Sequence, residues 1–87
     1  LALMNDPQYQ LAAENLSNNI FNEKTSINEK IVKVYRTITG RTPSIKEIDK
    51  LINYLNEVSD LNNYSEKKAF NSLVVLVYNL DETTQKS

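Results

Sequence analysis

Residues 26–47, SINEKIVKVYRTITGRTPSIKE, decide the fold because they hold one complete helix and the start of the next. Ser26 and Glu29 match a capping box, in which a hydroxyl and a carboxylate satisfy backbone N–H groups that the first helical turn leaves unbonded. Apolar residues then recur at helical spacing until Gly40, which adopts the left-handed conformation of a helix end at little steric cost. Ser44 and Glu47 match a second capping box with the same spacing. The stretch therefore predicts a helix, a tight turn and a second helix.

The flanking segments carry similar signals. Asp6 and Pro7 are an N-cap and a first-turn proline, and apolar residues follow at helical spacing up to Phe21. Ser65 caps a last segment whose apolar run at residues 73–77 is β-branched, and we assign it to a helix because no second strand is available to pair with it. Short connections favour antiparallel neighbours, so we predict an all-α, up-and-down four-helix bundle. Its helices are predicted at residues 7–21, 26–39, 44–58 and 65–80.

The inward faces of these helices define a predicted core. It consists of Leu16, Ile31, Val34, Ile38, Ile48, Leu51, Leu55, Phe70, Leu73 and Val77. Tyr35, Tyr54 and Tyr78 lie at or beside the apolar stripes, and we expect half-buried rings with water-exposed hydroxyls.

The composition limits the chemistry of the chain. With 87 residues it makes a single domain, and it has no cysteine and no histidine. Disulfides, thiolate metal sites and histidine-based general acid–base catalysis are therefore excluded. The net charge of −1 provides no overall cationic field for a phosphate backbone, and the longest apolar run is too short to span a bilayer. We predict no cofactor, no metal site and no enzymatic activity of the chain by itself.

Three short motifs follow one another along the chain: residues 3–9 (LMNDPQY), residues 40–43 (GRTP) and residues 79–82 (NLDE). In this order they resemble the C-terminal part of the planctomycete-type surface-domain family, a domain of unknown function in large exported bacterial proteins. Proteins of that family often also carry a cytochrome-c-like module. The family pattern has a Leu-Asn-Asp-Pro-Gln-aromatic opening, whereas Met4 precedes Asn5 here.

The resemblance implies a context for the chain. Residues 1–87 would be one helical domain at the C-terminus of a larger exported protein of the cell envelope, with a frayed polar tail at residues 83–87. The apolar residues 1–4 would be the stub of a junction with the preceding domains, which are the expected partners, with another protein as a further candidate. No catalytic residues of the family can be carried over.

In an up-and-down bundle the three motifs lie at one end, which we call the candidate interaction pole. It comprises Asn5, Asp6, Gly40, Arg41, Asn79, Asp81 and Glu82. Arg41 is placed for a charge-assisted pair with Asp6 or Asp81. The plainer interpretation of each motif is structural: a capped helix start, a C-cap with a solvated charge, and a helix exit. A calcium site at the last motif is disfavoured because such sites draw on about 6–8 oxygen ligands.

The leading interpretation is a non-catalytic interaction or structural module, and the alternative is a helix-turn-helix-like nucleic-acid-binding domain. The alternative rests on the helix–turn–helix order around Gly40 and on nearby basic residues. These are Lys30, Lys33, Arg36, Arg41, Lys46 and Lys50. Glu47 and Asp49 interrupt the start of the would-be recognition helix, which disfavours contact with phosphates.

Overall fold

The computed structural model describes residues 7–86, except for the side chains of Tyr9 and of residues 82–86. Over this range the chain forms four α-helices and no strand. They are α1, Pro7–Phe21; α2, Ile27–Thr39; α3, Ile45–Asn62; and α4, Glu66–Lys86. The prediction of an all-α four-helix bundle is confirmed. Within the described range, no helix combines the length and hydrophobicity that crossing a bilayer requires.

Helices α2 and α4 form the centre of the bundle, because each packs against all three of the other helices. Helices that follow one another along the chain lie side by side. The most deeply buried large side chains of α4 are Phe70, Leu73, Val74 and Val77, each at most 1% exposed. The core therefore follows the apolar run that raised the question of a strand.

Most of the predicted core residues are buried in the structure, and the others are only partly buried. Leu16, Ile38 and Leu55 pack against the core from partly exposed positions. Ile48 is also only partly buried and lies outside the core cluster. Among the described residues, helix α3 contacts α2 and α4, and Leu51, at 4% exposure, is its one buried residue. A helix with fewer neighbours buries a narrower face than its apolar pattern suggests. Ile48 lies at the edge of that face and is therefore only partly buried.

Two helices run further than predicted. Helix α3 continues past residue 58 to Asn62, and Asn63 ends it in the left-handed conformation with φ 54°. Helix α4 continues past residue 80, so the expected tail at residues 83–87 is helical as far as Lys86. Neither extension contains glycine or proline, so no local signal stops the helix where the apolar periodicity fades. Ser87 lies outside the described residues.

The turn between α2 and α3 has the predicted caps. Glu47 donates its backbone N–H to Ser44 Oγ (3.1 Å), and the backbone N–H of Ser44 donates to Glu47 Oε1 (2.9 Å). At Ser26 only half of the predicted box forms, in which the hydroxyl accepts the N–H of Glu29 (3.2 Å). Gly40, with φ 79°, donates its N–H to the carbonyl of the last turn of α2. A backbone–backbone hydrogen bond therefore holds the α2 end of the turn, and backbone–side-chain hydrogen bonds hold the α3 end.

Replacing Gly40 with alanine is expected to destabilise the protein by about 1–2 kcal/mol, the cost of a left-handed conformation for a residue with a Cβ atom. A Cβ atom at Gly40 would meet no atom within 4 Å, so this cost comes from the backbone alone. Gly40→Asn is the matched control and should cost less, because asparagine tolerates this conformation. Urea unfolding measures both variants. If Gly40→Ala were as stable as the unsubstituted chain, the positive φ of Gly40 would be contradicted.

Candidate functional site

The structure describes part of the candidate interaction pole. Gly40 and Arg41 lie in the turn between α2 and α3, while Asn79 and Asp81 lie within α4. Glu82 belongs to the same helix, but its side chain lies outside the described part. Asn5 and Asp6 also lie outside the described residues, so the predicted role of the first motif in the pole stays a prediction.

Arg41 forms a compact cluster with Tyr35 and Glu47, which we call the arginine cluster. Its Nη2 donates to Tyr35 Oη (2.5 Å) and to Glu47 Oε2 (3.2 Å), and its Nη1 donates to Glu47 Oε1 (3.4 Å). Tyr35 Oη donates in turn to Glu47 Oε2 (2.7 Å). The guanidinium carbon also lies 5.0 Å from the centre of the Tyr35 ring, within the range of a cation–π contact. The guanidinium is thus held from two sides.

Local structure brings these three side chains together. Glu47 is the third residue of α3, and its carboxylate folds back toward the start of that helix to accept the N–H of Ser44. Its other oxygen faces the preceding turn. The hydroxyl of Thr39 donates to the carbonyl of Tyr35 (2.7 Å) and accepts the N–H of Arg41 (3.2 Å), which fixes the path of the chain between them. The helix cap and the chain reversal therefore converge on one carboxylate.

The cluster corrects the expectation for Tyr35. Its side chain is 5% exposed, and its hydroxyl is bonded to Arg41 and Glu47 instead of to water. Tyr54 and Tyr78 are partly exposed, as expected for half-buried rings, and the water-exposed position of their hydroxyls stays a prediction. The capping box predicted a role for Glu47 at the start of α3, but its contacts with Arg41 and Tyr35 were not predicted. A glutamate and an arginine on either side of a short proline turn were the signal that could have revealed the pair.

The hydrogen bonds hold the three groups in fixed charge states at neutral pH. The N–H of Ser44, followed by Arg41 and Tyr35, lowers the pKa of Glu47 to about 2. Burial, followed by the bond to Glu47, raises the pKa of Tyr35, and hydrogen bonding to Glu47 raises the pKa of Arg41. A general acid or base works best with a pKa near the working pH. The cluster is therefore suited to holding an arginine in place and not to transferring protons.

Acid is expected to destabilise the protein partly through Glu47. Its pKa in the folded chain, about 2, lies below the ordinary value of 4.5, so its stabilising effect is complete above pH 4.5 and disappears as the pH falls toward 2. Because the side chain is 35% exposed, solvent screening reduces this effect to about 1 kcal/mol. Glu47→Gln should remove this part of the acid sensitivity in urea unfolding across that range, whereas Glu57→Gln should not. An unchanged pH dependence in Glu47→Gln would contradict the assignment.

Asp81, on α4, acts on the arginine cluster through its charge. Its negative charge is the smallest of the causes that raise the pKa of Tyr35. Arg41 forms an ion pair with Glu47. The expected pair of Arg41 with Asp81, and the position of the second and third motifs at one pole, stay predictions, and Asp6 lies outside the described residues.

Asn79 has a different position from the one predicted for it. Its side chain is 8% exposed, and its Nδ2 donates to the carbonyl of Val75 (3.1 Å). Because α4 continues well past residue 80, Asn79 lies inside the helix instead of at its exit. It therefore belongs to the bundle interior and not to the surface of the pole.

Large apolar side chains are exposed toward the same end of the bundle. Ile45, the first residue of α3, is 81% exposed, and Leu80 of α4 is 47% exposed. Leu11, in the second turn of α1, is 60% exposed. Ile45 directly follows the cap of α3, and Leu80 precedes Asp81. The fixed arginine thus shares its end of the bundle with apolar surface.

Several of the basic residues that suggested nucleic-acid binding are engaged within the chain. Lys33 pairs with Glu23 (2.5 Å), and Arg41 pairs with Glu47. The ammonium of Lys30 lies 5.2 Å from the centre of the Phe21 ring. A phosphate backbone would compete with these intramolecular partners, which reduces the cationic surface along α2 and the turn.

No group of three or more carboxylates among the described residues is arranged to hold a metal ion. Comparison with known proteins finds no matching family model, no matching curated protein and no matching solved structure.

Proposed function

We propose that the chain is a non-catalytic helical interaction module of a larger exported bacterial protein, and that it docks onto the preceding part of that protein through the candidate interaction pole. The exported bacterial context comes from the three motifs and their order. The docking role comes from the geometry around Arg41.

The observation that carries the proposal is the fixed but exposed guanidinium of Arg41. Its side chain is 57% exposed, although Tyr35 and Glu47 hold it in position. A guanidinium has five N–H donors, and the three hydrogen bonds within the arginine cluster leave donors for a carboxylate of a partner. A side chain that is already ordered loses less entropy on binding. This arrangement supports recognition of a carboxylate at the pole.

The apolar side chains at the same end supply the second component of an interface. Ile45, Leu80 and Leu11 would lose exposed apolar surface on docking. Interface hot spots are enriched in arginine and in the aromatic residues tyrosine and tryptophan, and surrounding contacts exclude water from them. Arg41, held against the ring of Tyr35, has the chemistry of such a hot spot, and the exposed apolar side chains can supply the surrounding contacts.

Stability alone is a weak reason for the arginine cluster. Exposed ion pairs contribute about 0–1 kcal/mol, and Glu47 already has a structural partner in the backbone of Ser44. Removing Arg41 would leave the cap of α3 and the buried ring of Tyr35 in place. The position of Arg41 is therefore better explained by a group that it binds outside the described chain.

Hydrogen exchange tests this proposal by comparing the full-length parent protein with the isolated 87-residue chain. In the full-length protein, we expect slower amide exchange at residues 40–47 and in the helical turn of α4 that contains Leu80. Arg41→Glu should remove that extra protection while leaving the thermal unfolding of the isolated chain nearly unchanged. Arg36→Glu is the matched control, because Arg36 is exposed on α2 outside the cluster.

Identical exchange in the full-length protein and the isolated chain would contradict docking through this pole. Binding of duplex DNA by the isolated chain, with an affinity that falls steeply with salt, would favour the nucleic-acid alternative instead.

A further inference from the structure

The side of α1 that faces away from the bundle carries a row of asparagines. On its inner side, Ala13 and Ile20 lie seven residues apart and are both buried. On the opposite side four residues follow one another at intervals of four, three and four: Leu11, Asn15, Asn18 and Asn22. This is the heptad spacing of a coiled-coil seam. We call these four residues the amide seam.

The amide seam lies at the surface of the bundle. Leu11 is 60% exposed, Asn15 and Asn22 are exposed, and Asn18 is partly exposed. Within the described part of the chain, α1 packs against α2 and α4 and not against α3. The outer side of α1 is therefore accessible to a partner.

The amide seam itself carries no charge. Glu14 is the one charged residue of α1, whereas each of the other three helices has at least four. Glu14 lies beside the seam, where it lines a cleft with Asn71 of α4. When a face packs on a copy of itself across a two-fold axis, equivalent residues come close together, so charges on it would repel their own copies. A neutral seam avoids this repulsion.

Asparagine is also chemically suited to pairing with itself. Its carboxamide has one oxygen that accepts and an NH₂ group that donates, so two copies can form reciprocal hydrogen bonds. An ionised carboxylate only accepts and an ammonium group only donates. Without cations, the seam does not suit a phosphate backbone. Its charge and its hydrogen-bonding groups both fit a second copy of the same helix.

We propose that the 87-residue chain forms a parallel homodimer in which the amide seams of two copies pack against each other in register. This arrangement places Asn15 and Asn22 opposite their own copies, as asparagines at seam positions do when they set the register of a coiled coil. Glu14 then lies beside the partner copy's Asn19 and not beside its own copy. Helix α1 has 15 residues and is about 22 Å long, so the seam spans about two heptads and the dimer should be weak.

Sedimentation equilibrium of the 87-residue chain between about 10 μM and 1 mM tests the proposal. We expect the average mass to rise with concentration from 10.0 kDa toward twice that value. Asn15→Asp keeps the shape of the side chain but places two carboxylates opposite each other, so it should weaken dimerisation about tenfold or more. Asn53→Asp is the matched control at an exposed position of α3 and should leave dimerisation unchanged.

The absence of cysteine from the chain allows a direct test of the register. In the proposed dimer, cysteines at residue 15 of the two copies come within reach of a disulfide, whose Cβ atoms lie about 3.5–4.5 Å apart. Under mild oxidation, Asn15→Cys is expected to form a covalent dimer much faster than Asn53→Cys.

A mass of 10.0 kDa at every concentration would overturn the proposal. So would a dimer that Asn15→Asp leaves intact, or covalent dimers that form equally fast from Asn15→Cys and Asn53→Cys. A monomeric chain whose residues 11–22 exchange more slowly in the full-length parent protein would assign the seam to another part of that protein instead.

The dimer and the docking through Arg41 can be tested separately. Arg41→Glu should leave dimerisation of the isolated chain unchanged, because Arg41 lies outside α1. Leu11 belongs both to the seam and to the apolar surface named for docking, so every variant used for the dimer keeps it. Failure of either proposal therefore leaves the other standing.

Discussion

Replacing Leu73 with alanine is expected to destabilise the protein by about 2–5 kcal/mol, the range for removing a buried leucine side chain and leaving a cavity. Leu73 is 0% exposed on α4, a helix that contacts all three others, so the surrounding structure has little freedom to collapse into the space. Leu51→Ala on α3, at 4% exposure, should fall in the same range. The free energy of unfolding in urea measures both variants.

Leu61→Ala is the matched control for these core variants. Leu61 is 82% exposed in the last turn of α3, so its truncation should change the stability by less than about 0.5 kcal/mol. Costs below about 1 kcal/mol at both Leu73 and Leu51 would show that the inward faces of α3 and α4 are wrongly assigned.

Replacing Ser17 with alanine is expected to stabilise the protein by about 1–2 kcal/mol. Ser17 is 1% exposed on α1, and its hydroxyl oxygen has no hydrogen-bond partner among the described residues. A buried polar group without a partner costs about 1–3 kcal/mol, and alanine also has the higher helix propensity. Thermal unfolding of the two chains gives the difference.

Ser72→Ala on α4 separates the two contributions to this effect. Ser72 is partly exposed, so its replacement should show the gain in helix propensity, at most about 0.5 kcal/mol, without the release of a buried hydroxyl. If Ser17→Ala were destabilising, the hydroxyl would have a hydrogen-bond partner in solution, and the helix interface around it would have to differ from the one described.

The existence of the four helices could be predicted from the chain because their signals are local. Ser44 with Glu47, Gly40 after the last periodic residue and Pro7 at a first turn each act on backbone groups within about one helical turn. The same locality identified Gly40 and Arg41 as notable residues. Where no local stop exists, as beyond residues 58 and 80, the predicted ends were too early.

The partners of each side chain depended on which helix faces meet, which no local signal specifies. Glu47 gained Arg41 and Tyr35 only because the end of α2 returns beside the start of α3. Asn79 became a buried residue because α4 extends past it and packs against all three other helices, while Ile48 stayed partly exposed on α3, a more peripheral helix. Hydrophobic periodicity indicates that a face is buried, whereas its depth and its polar contacts depend on the opposing surface.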